Sequence, residues 1–138
     1  MQAARRFIQT IRFVMLGSIV AYGYIVWWLP SAAIPNPLLF RVLTALSVTL
    51  VVGIFVLRRL QVLPVESVLA VQPDDAKALG RWRQGYIVTY VLSEAIVLYG
   101  LVLHFLGFRA TKVAPFFVAG FVLILFFRPM ALPTGQQR

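Results

Sequence analysis

The sequence has no cysteine and only four acidic residues among its 138 positions. Without cysteine the chain forms no disulfide, no thiolate metal site and no cysteine-ligated cluster, and it has no cysteine nucleophile. Charged residues make up 12% of the chain, whereas a typical soluble domain has about 25%. Because 61% of the residues are hydrophobic, too few charges remain to cover a water-soluble particle. These absences predict an integral membrane protein that forms one domain over residues 1–138.

The groupings of residues that enzymes use are also missing. We find no glycine-rich phosphate loop, no Ser-His-Asp set and no acid pair placed for catalysis. Asp74 and Asp75 are adjacent, so on a helix their side chains diverge by about 100°. This pair is typical of a helix start. We therefore expect no catalytic residues, no metal site, no cofactor and no enzymatic activity.

Long apolar segments predict an all-α fold, a four-helix transmembrane bundle. A membrane-spanning helix needs roughly 20 apolar residues, and prolines or polar residues separate the segments. We expect helices at about 7–29, 38–57, 86–108 and 113–130, and a cytoplasmic or interfacial loop at 58–85.

The loop at 58–85 is too apolar for a free linker. Pro64 favours a short helix over 65–71, and Pro73 with Asp74 and Asp75 favours the start of a second one over 76–83. We expect both to lie in the plane of the lipid headgroups. A docking surface for a cytoplasmic partner is the alternative.

The formal net charge of +9 comes from basic residues that flank the apolar segments. This pattern is typical of membrane orientation and anionic lipid, and we expect no nucleic-acid binding. With the N-terminus inside, only Arg41, Arg109 and Lys112 of the thirteen Lys and Arg residues lie outside. The positive-inside rule therefore predicts a multi-pass protein of the plasma membrane with both termini cytoplasmic.

Glu94 lies inside the third apolar segment, about 12 Å along the helix from Tyr86. An ionisable residue at that depth is costly and marks a functional-site hypothesis. A carboxylate in a low dielectric takes up a proton, so we expect Glu94 to be neutral at pH 7 unless a partner supplies a cation. Counting depth along each segment gives its candidate hydrogen-bond partners, which are Tyr22, Ser47, Thr49 and Tyr90.

Two interpretations of Glu94 remain open from the residues alone. In the first interpretation the carboxyl has a function, either as a reversible proton carrier or as a contact that joins two subunits. In the second it is a protonated acid that holds helix packing in register. The segment carries no second intramembrane acid or base, so a proton relay within this one chain is not indicated.

His104 is the only histidine and lies near the outer end of the third segment. It is either an interfacial histidine or an axial ligand for a haem or chlorophyll-type pigment. With Ser93, Gly100 and Gly107 it forms a stripe of small residues that suits close helix contact. The phenylalanine-rich fourth segment faces either lipid or a carotenoid, a quinone or another subunit.

The run from Leu92 to Val102, LSEAIVLYGLV, resembles the carboxylate helix of the rotor-ring proteolipid (subunit c) of F- and V-type ATP synthases. In that family the glutamate carries the ion, and a Tyr-Gly-Leu-Val run follows it. The order of a helix, a basic cytoplasmic loop and an acid-bearing helix is similar as well. The resemblance implies that Glu94 is a proton- or ion-binding residue.

Small size and one buried acid together favour a non-enzymatic subunit of a larger membrane complex, such as a bioenergetic one. Its partners would be membrane lipids and other integral membrane subunits. One alternative is a proteolipid-like homo-oligomer that translocates protons or ions through Glu94. A weaker alternative is an accessory subunit that contacts a pigment or a quinone.

Overall fold

The computed structural model describes residues 2–30 and 34–129, and all the regular structure in these ranges is helical. The all-α prediction of four main helices with a short helix between the second and third is confirmed. The helices are α1 (Gln2–Trp28), α2 (Pro37–Leu57), α3 (Leu63–Val71), α4 (Ala76–Phe105) and α5 (Ala110–Phe126).

Three helical stretches are long and apolar enough to cross a membrane, by length and composition. They are α1, the run from α2 through α3, and α4. The fourth main helix, α5, has 17 residues and is therefore about 25 Å long, slightly less than the hydrocarbon thickness. It ends before residue 130, the expected limit, which lies outside the described residues.

The chain passes from α2 into α3 without leaving helical geometry. The side chain of Asn36 caps α2 by accepting a hydrogen bond from the Leu38 amide at 3.0 Å, and Pro37 occupies the first turn. A π-helical segment, Arg58–Val62, then joins α2 to α3. As predicted, Pro64 lies in the first turn of the short helix.

The start of α4 differs from the expected start of the third membrane helix at residue 86. Asp75 caps α4 by accepting from the amides of Lys77 and Ala78, and the helix continues unbroken to Phe105. A separate headgroup-plane helix over 76–83 is therefore wrong. No proline stands between the two parts, and Trp82 is buried in the hydrophobic core.

A glycine ends α4 at the other side of the bundle. Gly107 has a φ of 111°, a conformation that residues with a Cβ rarely adopt. Its amide donates to the His104 carbonyl, and the Phe108 amide donates to the Leu103 carbonyl, both at 3.1 Å. This pair of bonds is a Schellman motif, which turns the chain directly into α5.

The centre of the bundle is α4, which contacts every other helix. In its most apolar stretch 44% of the residues are buried, against 11% for α1 and for the run from α2 to α3. The closest packing is between α4 and α5, where Gly120 fits against Ser93 and Val97, and Gly100 fits against Phe116. The expected contact of the small-residue stripe is confirmed for Ser93 and Gly100.

The bundle has two ends. The hairpin end carries the connections that follow α1 and α4. The terminal end carries Gln2, α3 and Arg128.

Candidate functional site

Glu94 lies at the edge of the interface between α1 and α4. The Tyr22 hydroxyl of α1 donates a hydrogen bond to Glu94 Oε1 across 3.5 Å. The Glu94 side chain is half-buried, so the chain covers only part of it. It lies about 16 Å along α4 from Phe105, which is about half the hydrocarbon thickness. The carboxyl therefore lies near the middle of the apolar stretch of α4 and is only partly covered by the chain.

The other three candidate partners of Glu94 form their hydrogen bonds elsewhere. Ser47 and Thr49 donate to carbonyls one turn back on α2, at 2.8 Å and 2.9 Å. A serine or threonine in a helix satisfies its hydroxyl locally in this way. Tyr90 donates to the Phe127 carbonyl at 2.8 Å. Of the four candidates, the structure brings only Tyr22 to the carboxyl.

The surroundings of Glu94 are apolar on its open side. Val91 and Leu98 lie one turn away on the same helix and are 50% and 39% exposed. Within residues 2–30 and 34–129, no group of three or more His, Asp or Glu side chains lies close enough to hold a metal ion. The arrangement can bind or release one proton, or pair with a group on another chain.

His104 connects the end of α1 to the turn that follows α4 at the hairpin end. Its Nδ1 lies 3.0 Å from the Phe108 carbonyl, and its Nε2 lies 2.6 Å from the Leu29 carbonyl at the end of α1. Carbonyl oxygens only accept hydrogen bonds, so a ring nitrogen that carries the hydrogen donates to the carbonyl it faces. With both nitrogens occupied and the side chain 4% exposed, these contacts favour the structural interpretation over an axial pigment ligand.

Arg12 reaches from α1 to the last turn of α5. Its Nε donates to the Ile124 carbonyl at 3.1 Å, and a terminal guanidinium nitrogen donates to the Leu125 carbonyl at 3.2 Å. The last carbonyls of a helix have no partner within that helix. Arg12 supplies donors to two of these carbonyls at the end of an apolar helix.

Two tyrosines of α4 complete this arrangement at the terminal end. Tyr90 donates to the Phe127 carbonyl at 2.8 Å, and Tyr86 lies within hydrogen-bond distance of Glu66 Oε1 (3.1 Å) and the Arg128 carbonyl (3.4 Å). The guanidinium carbon of Arg58 lies 4.6 Å from the centre of the Phe127 ring. Hydrogen-bond donors from α1 and α4, together with the Arg58 cation, therefore surround the end of α5.

This cap was not predicted from the sequence, in which Arg12 is one of the basic residues that flank the apolar segments. One signal was available. The fourth apolar segment is short for a membrane span, which favours hydrogen-bond donors from other helices for its last carbonyls. An arginine one-third of the way along the first helix has the length to provide them.

Comparisons with protein-family models, with curated proteins and with solved structures find no match for this chain. Its site is therefore interpreted from its own geometry.

Proposed function

We propose that this chain is a small, non-enzymatic integral subunit of a larger membrane complex, such as a bioenergetic one, and that Glu94 lies where another subunit packs. In this proposal the terminal end faces the cytoplasm of a cell whose plasma membrane holds the complex, as the distribution of Lys and Arg favours. The half-buried position of Glu94 in the apolar slab supports the proposal most.

The cost of an uncovered carboxyl is the physical reason. Even a neutral carboxyl has two oxygens and one hydrogen to satisfy, and lipid tails offer no partner. Tyr22 supplies one contact, and its 3.5 Å is long for a hydroxyl–oxygen bond, which is usually 2.5–3.0 Å. A subunit that packs on this flank would remove Glu94 from lipid and supply the remaining hydrogen bonds.

The state of Glu94 is tested with dicyclohexylcarbodiimide, which labels protonated carboxyls in apolar surroundings. We expect the wild-type chain to be labelled at Glu94 and Glu94→Gln to escape labelling. The control Glu66→Gln keeps the label, because Glu66 lies at the terminal end beside Tyr86. Peptide mass spectrometry locates the adduct. An unlabelled wild type, or a label that persists in Glu94→Gln, contradicts a protonated Glu94.

Assembly is tested by native mass spectrometry of the chain extracted gently from its own membrane. We expect a complex with other membrane polypeptides, and at least tenfold less of it when Glu94→Leu removes the hydrogen-bonding group. Glu94→Gln, which keeps a neutral hydrogen-bonding group at the same position, is the matched control and retains the complex. A monomer in the wild type overturns the proposal.

The second candidate function is proton or ion translocation by a homo-oligomer. A carboxyl that is open on one flank and hydrogen-bonded to one tyrosine hydroxyl favours it, since such a group can exchange its proton. Native mass spectrometry would then give a multiple of the chain mass. Proton flux into vesicles would be lost in Glu94→Gln and retained in Glu66→Gln.

A further inference from the structure

A groove of about 320 Å³ lies between α2 and α5, and Ile96 of α4 contributes to its lining. One wall is the face of α2 from Phe40 to Val52, and the other is the face of α5 from Lys112 to Ala119. The wall on α2 covers 12 residue steps, or about 18 Å, which is close to half of the 30 Å hydrocarbon thickness. The groove therefore spans about one lipid leaflet from the hairpin end.

The wall of the groove is apolar although two hydroxyls line it. The Thr44 hydroxyl donates to the Phe40 carbonyl at 2.7 Å, and the Ser47 hydroxyl donates to the Leu43 carbonyl at 2.8 Å. Their hydrogens are therefore used within α2, and methyl and methylene groups face the space. Such a surface suits a hydrocarbon chain.

A second cavity, of about 280 Å³, adjoins the groove at the hairpin end. Both spaces share Phe40 and Lys112, and the second also has Arg41 and Phe108 in its lining. The Lys112 ammonium lies 5.4 Å and 5.5 Å from the centres of the Phe40 and Phe108 rings, so it is held at the junction.

The charge of this second cavity is positive, and within residues 2–30 and 34–129 no acidic side chain lines it. The sequence has four acidic residues, Glu66, Asp74, Asp75 and Glu94. Three of them belong to the segment at the terminal end, and Glu94 lies about 16 Å along α4 from Phe105. Arg41 and Lys112 are both exposed. Two cations above an apolar groove match a molecule that has an anionic head and a hydrocarbon tail.

We propose that the groove and the adjoining cavity form one binding site for an anionic glycerophospholipid. An acyl chain lies between α2 and α5, and the lipid phosphate lies between Arg41 and Lys112. The site would fix one lipid at the hairpin end, on the side of the membrane where this chain has few other cations.

The test is a lipid titration of the purified full chain in detergent, followed by native mass spectrometry. The probes are palmitoyl-oleoyl phosphatidylglycerol, which is anionic, and palmitoyl-oleoyl phosphatidylcholine, which is zwitterionic. We expect the first equivalent of phosphatidylglycerol to bind at least tenfold more tightly than phosphatidylcholine. Arg41→Gln and Lys112→Gln should each weaken it by about fivefold, and together by roughly thirtyfold.

Matched variants distinguish binding at this site from nonspecific attraction of an anionic lipid to a basic protein. Arg109→Gln removes an exposed cation at the same end that lines neither space, and should change affinity less than twofold. Ala119→Phe fills the groove and should weaken phosphatidylglycerol at least tenfold, whereas Val118→Phe, next to it and 60% exposed, should not. The cation variants alter only exposed side chains, so they keep the test valid if Ala119→Phe does not fold.

Three results would overturn the proposal. One is equal affinity for the two lipids. Another is a loss of affinity for phosphatidylglycerol in Arg109→Gln as large as that in Lys112→Gln, because this would show nonspecific attraction between the anionic lipid and the basic chain. The third is displacement of phosphatidylglycerol by millimolar inorganic phosphate, which identifies a site for a soluble anion.

Discussion

Replacing Gly120 by alanine should destabilise the protein by about 1–3 kcal/mol, as overpacking of a close helix contact does. A Cβ at this position would overlap the Val97 side chain and would lie 2.8 Å from the Ser93 carbonyl oxygen. The side chain can shift, but the carbonyl belongs to the α4 backbone and cannot. The two helices would therefore have to separate along their closest contact.

The effect of Gly120→Ala is measured as the thermal unfolding midpoint of the detergent-solubilised chain. Gly53→Ala is the matched control, because nothing lies within 4 Å of a Cβ at Gly53. Alanine in an open helical position should be neutral or should stabilise by roughly 0.5–1 kcal/mol. Similar midpoints for the two variants would show that the packing of α4 on α5 is looser than described.

Replacing Arg12 by leucine should cost about 2–4 kcal/mol of stability, because two carbonyls at the end of α5 lose their donors in or near the apolar slab. The Ile124 and Leu125 carbonyls both accept from this one guanidinium. Lysine at the same position keeps the charge but loses the fork of donors, so Arg12→Lys should lie between the wild type and Arg12→Leu.

The control for Arg12→Leu is Arg6→Leu, which makes the same change at an exposed position on the same helix. It should shift the unfolding midpoint little, since a surface charge contributes little to stability. Hydrogen exchange adds a local measurement. Amides in the last turn of α5 should lose protection in Arg12→Leu and keep it in Arg6→Leu. Equal effects of the two variants would rule out the capping role.

These two contacts matter for the proposed function because they fix α5 against α4 and α1, the helices that carry Glu94 and Tyr22. Gly120 sets how closely α5 approaches α4, and Arg12 ties its end to α1. With α1, α4 and α5 held in this way, the Tyr22–Glu94 flank is a fixed surface. A fixed surface meets a partner subunit at a lower entropic cost than a mobile one.

The sequence by itself determined the class of protein, and it placed the end of α1 and both ends of α2 to within one residue. Apolar runs with few charges predict membrane helices, and prolines or capping side chains end them, because these effects act within one or two turns. Asn36, Asp75 and Gly107 are local signals of this kind. The stripe of Ser93 and Gly100 also indicated a close contact without naming the helix that makes it.

Only the tertiary structure decided which side chains meet. Depth along a helix gave four equal candidates for Glu94, and the rotation of each helix about its axis selected Tyr22. The same is true of Arg12, whose partners lie more than 100 positions away in the chain. Neighbours and rotation depend on how all the helices pack at once, and no single apolar segment contains that information.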